Sequence, residues 1–345
     1  MPTLHADDLR RFATELLHKG GFAEADASQM ADLLIWANLR GIDSHGVLRI
    51  PRYLEMLSLG LVNANHSIVD AHRFGAICVL DADKAPGAVA MNRAVAEASA
   101  IAGKIGLGWC SVRRTSHAGA IGYFVEQLAK RGLIGIAMTA SKPLMTYYGA
   151  KGEALSSNPL AIGVPQSGGG APIILDMSTA AVALGKIMAA KDANRAIPIG
   201  WGVDADGADT TDPHQVEAVL PMAGAKGSGL SLMIEVLCSI LAGNPSIAPA
   251  LTGGKGGGFN GLILAIDPRG FGNQDAILND VCALADSIHQ LDPAPDFDRV
   301  RLPGERGFET AHSRKADGVP VAAGTLKRLL ESASALGVTA PEAIG

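Results

Sequence analysis

Apolar residues recur at helical spacing between positions 6 and 38: Leu9, Phe12, Leu16 and Leu17, then Ala23, Ala27, Met30, Leu33 and Leu34. Gly20 and Gly21 interrupt the stripe, which predicts two helices joined by a glycine turn. From about residue 67 the pattern changes. Residues 77–81 (ICVLD) and 106–112 read as strands around an alanine-rich helix at 87–102. RRTSHAGAIGYFVEQLAKRG then starts a helix, and 134–139 is again a strand. Strands alternating with helices predict an α/β lobe. Two more strands are expected within 155–165 and at 173–177, followed by a helix over 179–191. Residues 198–213 are turn-rich, 229–242 form a strong helix, and 252–261 a mobile glycine loop. A strand at 261–267, a helix at 273–291 capped by Asn273, a loop at 301–308 and a helix at 323–336 complete the chain.

A chain of 345 residues is long for one core, so two lobes are expected. They are placed at 1–66 with 300–345, mainly helical, and at 67–299, α/β. Only 4% of residues are aromatic, so alanine and glycine must supply much of the packing, which suits α/β layers better than a β-sandwich. A net charge of −5 argues against a nucleic-acid binder and offers no basic surface to a membrane. Cys78, Cys110, Cys238 and Cys282 are far apart and most lie in apolar runs, which points to buried thiols in a reducing compartment rather than to disulfides or zinc. The charged, polar N-terminus does not resemble a secretory signal, and no apolar run suffices to span a bilayer. A soluble cytoplasmic protein is the expectation.

Candidate chemistry concentrates in RGIDSHGVLRIPRYLEM, residues 40–56, which holds Ser44, His45, Arg49 and Tyr53. His45, Arg49 and Tyr53 are spaced i, i+4, i+8, one stripe of a helix if the segment is helical. A neutral imidazole moves protons near pH 7. An arginine fork holds a carboxylate with two hydrogen bonds, and Ser44 can orient the imidazole. The set suits a small carboxylate with a carbonyl or hydroxyl beside it. The same residues also read as a surface turn capped by Asp43 or Ser44, with Arg49 in solvent and Pro51 interrupting the helix.

His117, in TSHAG, lies between a predicted strand and a predicted helix, where ligands gather. A capping turn in which His117 merely packs is the alternative. Asp176 and Ser178 occupy a similar junction and read as ordinary helix caps. Residues 224–229, GAKGSG, set Lys226 among backbone amides suited to phosphate or carboxylate, although the Walker A spacing fails and a flexible turn competes. Gly256, Gly258 and Gly261 spell GxGxxG, but a strand follows, so they are not a Rossmann fingerprint. Asp204, Asp206 and Asp209 miss the calcium-loop spacing and read as a turn. No metal site is expected.

GIDSHGVLRIPRY, RRTSHAGAIGYF, SSNPLAIGVP, DMSTAAVALGKI, IPIGWGVDADGADTTDP and AGAKGSGL occur in this order. Together they resemble the malate/L-lactate/sulfolactate dehydrogenase family, which includes ureidoglycolate dehydrogenase and piperideine-2-carboxylate reductase. The resemblance runs from about residue 5 to 336. It implies an NAD- or NADP-dependent oxidoreductase of small 2-hydroxy or 2-keto acids with a non-Rossmann fold. A mixed-sheet cofactor domain would adjoin a helical substrate and dimerisation domain built from both chain ends. A homodimer would complete the site at its interface. His117 matches a proton acceptor, His45 with Ser44 a proton donor and its orienting serine, and Arg49 the carboxylate anchor, with Tyr53 one turn on. Ser157 matches a substrate contact. Ser141, Asp176, Met177, Ser178, Lys226, Pro303, Gly304, Glu305 and Arg306 match cofactor contacts. One departure matters: Lys186 stands where the imine-reductase branch carries an aspartate. That favours a hydroxy or keto acid over a cyclic imine carboxylate, which remains the enzymatic alternative beside a non-catalytic ligand-binding homologue. Lys142, after Ser141, replaces an acidic residue of the ureidoglycolate-type pattern and would suit the extra phosphate of NADP, or simply face solvent.

Overall fold

The computed structural model describes residues 2–344. The chain enters through Thr3–Leu4 (β1), Ala6–Lys19 (α1), Glu24–Leu39 (α2) and Ile50–Ser58 (α3). The predicted glycine turn separates α1 from α2, and the apolar stripe from Leu9 to Leu34 joins one large buried cluster. Between α2 and α3 the backbone makes two 3-10 turns, Asp43–His45 and Val47–Arg49. His45, Arg49 and Tyr53 therefore do not form a stripe on one continuous helix. Asn38 pins the turns: its side-chain carbonyl accepts the Val47 N–H at 2.8 Å and its amide donates to Asp43 at 2.7 Å. Pro51 opens α3 instead of interrupting it, because the first helical turn has no use for its missing N–H.

The sheet region comprises Val69–Phe74 (β2), Ile77–Asp81 (β3), Gly87–Ile105 (α4), Leu107–Thr115 (β4), Gly122–Ala129 (α5), Ile134–Ala140 (β5), Leu160–Val164 (β6) and Ile173–Met177 (β7). Leu184–Asp192 (α6), the short pair Gly202–Val203 (β8) and Ala218–Val219 (β9), Ala225–Glu235 (α7) and Ile247–Leu251 (α8) follow. Phe259–Ile266 (β10), Gln274–His289 (α9), Glu305–Asp317 (α10), Val319–Pro320 (β11) and Ala323–Leu336 (α11) end the chain. Seven strands form one mixed sheet in the order β2-β3-β4-β10-β5-β6-β7. Only the β3–β4 pair is parallel. β10, late in the sequence, inserts between β4 and β5.

This order decides where a site can form. Thr115 lies opposite Phe259, Asn260 opposite Ala140, and Leu160 opposite both Met138 and Met177. The carboxyl ends of β4, β5 and β7 thus share one end of the sheet with the amino ends of β6 and β10. The two chain termini meet nearby, because β1 pairs antiparallel with β11, and α11 contributes Leu329 and Ala333 to the same buried cluster as α1 and α2.

Several boundaries differ from the sequence expectation. The helix expected from Arg113 begins only at Gly122, because β4 continues to Thr115 and residues 116–121 are irregular. The helix expected from Thr179 begins at Leu184; Ala180 instead bridges to Pro221. The strong helix starts at Ala225 and passes into a π-helical turn at Val236–Ile240. The 301–308 loop already contains the start of α10 at Glu305. That helix buries none of its residues, so it carries no apolar periodicity to read. β2 is exposed along its whole length and escaped detection for the same reason.

The tightest helix-to-sheet approach is at Gly108, where an added Cβ would lie 2.0 Å from the Ala98 carbonyl oxygen. Gly108→Ala is expected to destabilise the fold by about 1–3 kcal/mol through overpacking. A lowered urea midpoint at unchanged slope is the checking measurement.

Candidate active site

His117 lies two residues beyond β4, and its ring is packed from three sides. The His45 ring stacks on it at 5.6 Å between centroids, with planes 19° apart. Tyr53 is tilted against it at 6.0 Å, and Phe259 meets it edge-on at 6.0 Å. The sequence enforces this approach with small residues. Gly119 has φ +71°, and a Cβ there would strike Leu33 at 2.2 Å. A Cβ on Gly87 would lie 2.4 Å from the His117 carbonyl oxygen, while the Gly87 N–H donates to Ser116 Oγ at 2.9 Å.

Hydrogen bonds fix one imidazole and leave the other free. The Gly119 N–H donates to His117 Nδ1 at 3.3 Å, and the Tyr53 hydroxyl lies 2.9 Å from the same nitrogen. A backbone N–H can only donate, so Nδ1 is unprotonated and the ring proton of His117 resides on Nε2. Tyr53 then donates as well. His45 Nδ1 lies 3.0 Å from Ser44 Oγ, a hydroxyl that can donate or accept, so either tautomer of His45 is served. Arg49 Nε donates to the Ser44 carbonyl oxygen at 2.8 Å, and the Nη groups make no hydrogen bond among the described residues.

The electrostatics follow from crowding. Burial lowers the His45 pKa to about 4, with the Arg49 charge adding to the effect. His117 is held well below the ordinary histidine value by burial first, then by Arg49 and His45. Burial pushes the Tyr53 phenol up to about 12. Both imidazoles are therefore neutral at pH 7.

A second group of expected residues gathers farther along the same end of the sheet. Ser141 Oγ is 2.7 Å from Ser156 Oγ, and Ser178 Oγ donates to the Ser157 carbonyl at 3.1 Å. The turn before α7 docks here through Met222 N–H to the Thr179 carbonyl, and Lys226, in the first turn of α7, is exposed. Asp176 does not cap the helix that follows it. Its carboxylate accepts the Gly122 N–H at 2.8 Å and so caps α5 across space. Burial of the carboxyl group raises its pKa to about 6, against the pull of Gly122 and Arg40, although part of the residue is open to solvent. Met177 ends β7 beside it. Residues 303–306 flank the outer edge of β7 near its start instead: Pro303 accepts from Ile174 N–H at 3.0 Å, Gly304 turns at φ +92°, Glu305 accepts from Leu302 N–H, and Arg306 is exposed. Hydroxyls, an exposed ammonium and the N-terminus of α7 are donors that fit the ribose and phosphates of a dinucleotide. Asn158 Oδ1 and Thr179 Oγ1, in the same group, are buried without a hydrogen-bond partner.

A profile for malate/L-lactate dehydrogenase matches residues 4–330. The chain belongs to this family. Malate dehydrogenase of Pyrococcus abyssi is 34% identical over 343 residues, covering 96% of this chain and 94% of its own length. Ureidoglycolate dehydrogenase (NAD(+)) of Escherichia coli O157:H7 is 34% identical and covers 87% and 86%. The structure of malate dehydrogenase from Pyrococcus horikoshii superposes with a TM-score of 0.90 at 30% identity, over 98% of this chain and 97% of that one. The mixed sheet is thus that of malate/L-lactate dehydrogenases, and the chain is a nicotinamide-dependent dehydrogenase of small hydroxy acids.

Sequence reasoning missed one polar centre of this dehydrogenase. Arg40 pairs with Glu126 at 3.3 Å in a buried setting, lies over the Trp36 and Phe308 rings, and donates to the Gly304 carbonyl at 3.1 Å. It ties α2, α5 and the start of α10 together. The available signal was a glutamate in the otherwise apolar helix GYFVEQLA.

Because the folded chain holds both histidines below their ordinary value, the unfolded chain binds more protons once the pH falls below about 6.5. Stability is expected to fall as the pH drops from 6.5 toward 4. A His45→Gln/His117→Gln variant should show a shallower decline in urea midpoint across that window, and identical slopes would contradict the assignment.

Proposed function

We propose that this dehydrogenase transfers a hydride reversibly between NAD or NADP and C2 of a small 2-hydroxy or 2-keto acid. The observation that carries this reading is the convergence of His45, Arg49 and Tyr53 on His117 from a segment 64 residues away. Bound nicotinamide supplies the hydride acceptor in oxidation and the donor in reduction. The free Nη groups of Arg49 suit a bidentate hold on the substrate carboxylate. His45, when its Nδ1–H faces Ser44, has a free Nε2 lone pair and takes the hydroxyl proton. His117, with its proton on Nε2, donates a hydrogen bond to a substrate oxygen. Burial depresses both imidazoles most, and a carboxylate at Arg49 offsets the charge that adds to it, so substrate binding raises their proton affinity and serves the reductive direction.

Ser141, Asp176, Met177, Ser178, Lys226 and residues 303–306 form the cofactor side, with Ser157 toward the substrate. The exposed Lys142 beside Ser141 supports NADP. Lys186 is exposed and offers no carboxylate to the histidine pair, which supports a hydroxy acid over a cyclic imine. The helical lobe of 1–66 with 300–345 would carry substrate and dimer contacts against the 67–299 cofactor lobe, in a cytoplasmic homodimer.

A panel of 2-keto acids and cyclic imine carboxylates, followed by loss of reduced-nicotinamide absorbance with NADH and NADPH, tests the class. Faster turnover of the imines would overturn it. Arg49→Lys is expected to raise the KM for the acid by about 10–100-fold with a smaller change in kcat, since ammonium lacks the fork. His45→Gln should lower kcat by about 10²–10⁴-fold. His117→Gln should weaken both kcat and substrate binding. Full activity in both histidine variants would discard the mechanism.

A further inference from the structure

We infer that Asn260 is a positioning residue for His117, acting through an irregularity at the end of β4. This rests on the role proposed above for His117. Phe259 pairs with Thr115 and Gly261 with Val112, so the single residue Asn260 faces two residues, Arg113 and Arg114. That is a bulge, and bulges re-aim the chain that follows them. Arg114 sits at φ +55°, an uncommon conformation for a residue with a side chain. A bulge also leaves ladder groups unpaired, and a buried N–H must find an acceptor.

Asn260 supplies it. The residue is fully buried, and its Oδ1 accepts the Arg114 N–H at 3.3 Å and the Asn244 amide at 2.7 Å. Its Nδ2 reaches Ser239 Oγ at 3.0 Å, the Asn244 carbonyl at 3.0 Å and Ser246 Oγ at 3.1 Å. Behind these, Glu235 accepts from Ser239 Oγ at 2.7 Å and from the Ser246 and Ile247 N–H groups. The polar cluster anchors the bulge to the π-helical turn that continues α7. One residue before Asn260, Phe259 packs on the His117 ring; three residues beyond Arg114 comes His117 itself. Asn260 therefore fixes both the strand that delivers the imidazole and the ring that braces it, without touching the imidazole.

The test compares Asn260→Leu and Asn260→Ser with Glu235→Gln, which weakens the same cluster without touching Asn260 or β10. Both Asn260 variants should lower kcat by about 10–100-fold, the scale of an ångström-sized misplacement, with both KM values within about twofold. Glu235→Gln should lower the melting temperature and leave kcat unchanged. The ¹⁵N shift of His117 Nδ1 should move in the Asn260 variants only. If Asn260→Leu does not fold, the smaller Asn260→Ser carries the comparison. Wild-type kcat in a folded Asn260 variant, or an equal fall in kcat for Glu235→Gln, overturns the inference. His117→Gln, assayed alongside, separates the two failures: full activity there removes His117 from the reaction, whatever Asn260 does.

Discussion

Two imidazoles stacked 5.6 Å apart beside a guanidinium can coexist in a partly buried pocket only while both stay neutral. Desolvation, helped by Arg49, enforces that state, and the hydrogen bonds around the rings then assign the protons. The Gly119 N–H and Tyr53 hydroxyl spend the His117 Nδ1 lone pair, whereas Ser44 leaves His45 free to exchange tautomers. Two chemically identical side chains acquire different capabilities from three neighbours. The same guanidinium that suppresses their protonation is the natural partner for an anionic substrate, so occupancy by a carboxylate and proton affinity are linked.

The fold exists to bring these groups together. His45, Arg49 and Tyr53 come from the helical N-terminal segment, His117 from the end of β4, and its bracing phenylalanine from β10. Inserting β10 between β4 and β5 places all the relevant strand ends on one side. Glycines at 87 and 119 let the backbones close in, and Arg40 with Glu126 locks α2, α5 and α10 into one frame.

Much of this was legible in the chain. The α1–α2 pair, β3, β5, β7, α11 and the Asn273 cap of α9 appear where apolar periodicity and cap chemistry put them. His45 and His117 were legible because a histidine among small residues at an element boundary has few structural reasons to be there. What escaped lacked a local signal. β2 is exposed throughout and α10 buries no residue fully, so their patterns are weak. The 3-10 turns after α2 depend on Asn38, which only the folded chain places against Val47 and Asp43. Arg40 and Asn260 are defined by partners scores of residues away, which no window along the sequence contains.

The most direct measurement is an imidazole ¹⁵N titration of histidine-labelled protein. Of nine histidines, two should remain neutral from pH 7 to pH 5, one of them with an unprotonated Nδ1, and both should gain proton affinity when a 2-hydroxy acid binds. Nine rings titrating near the ordinary value of about 6.5, indifferent to the acid, would contradict a pair kept neutral by burial and Arg49 together.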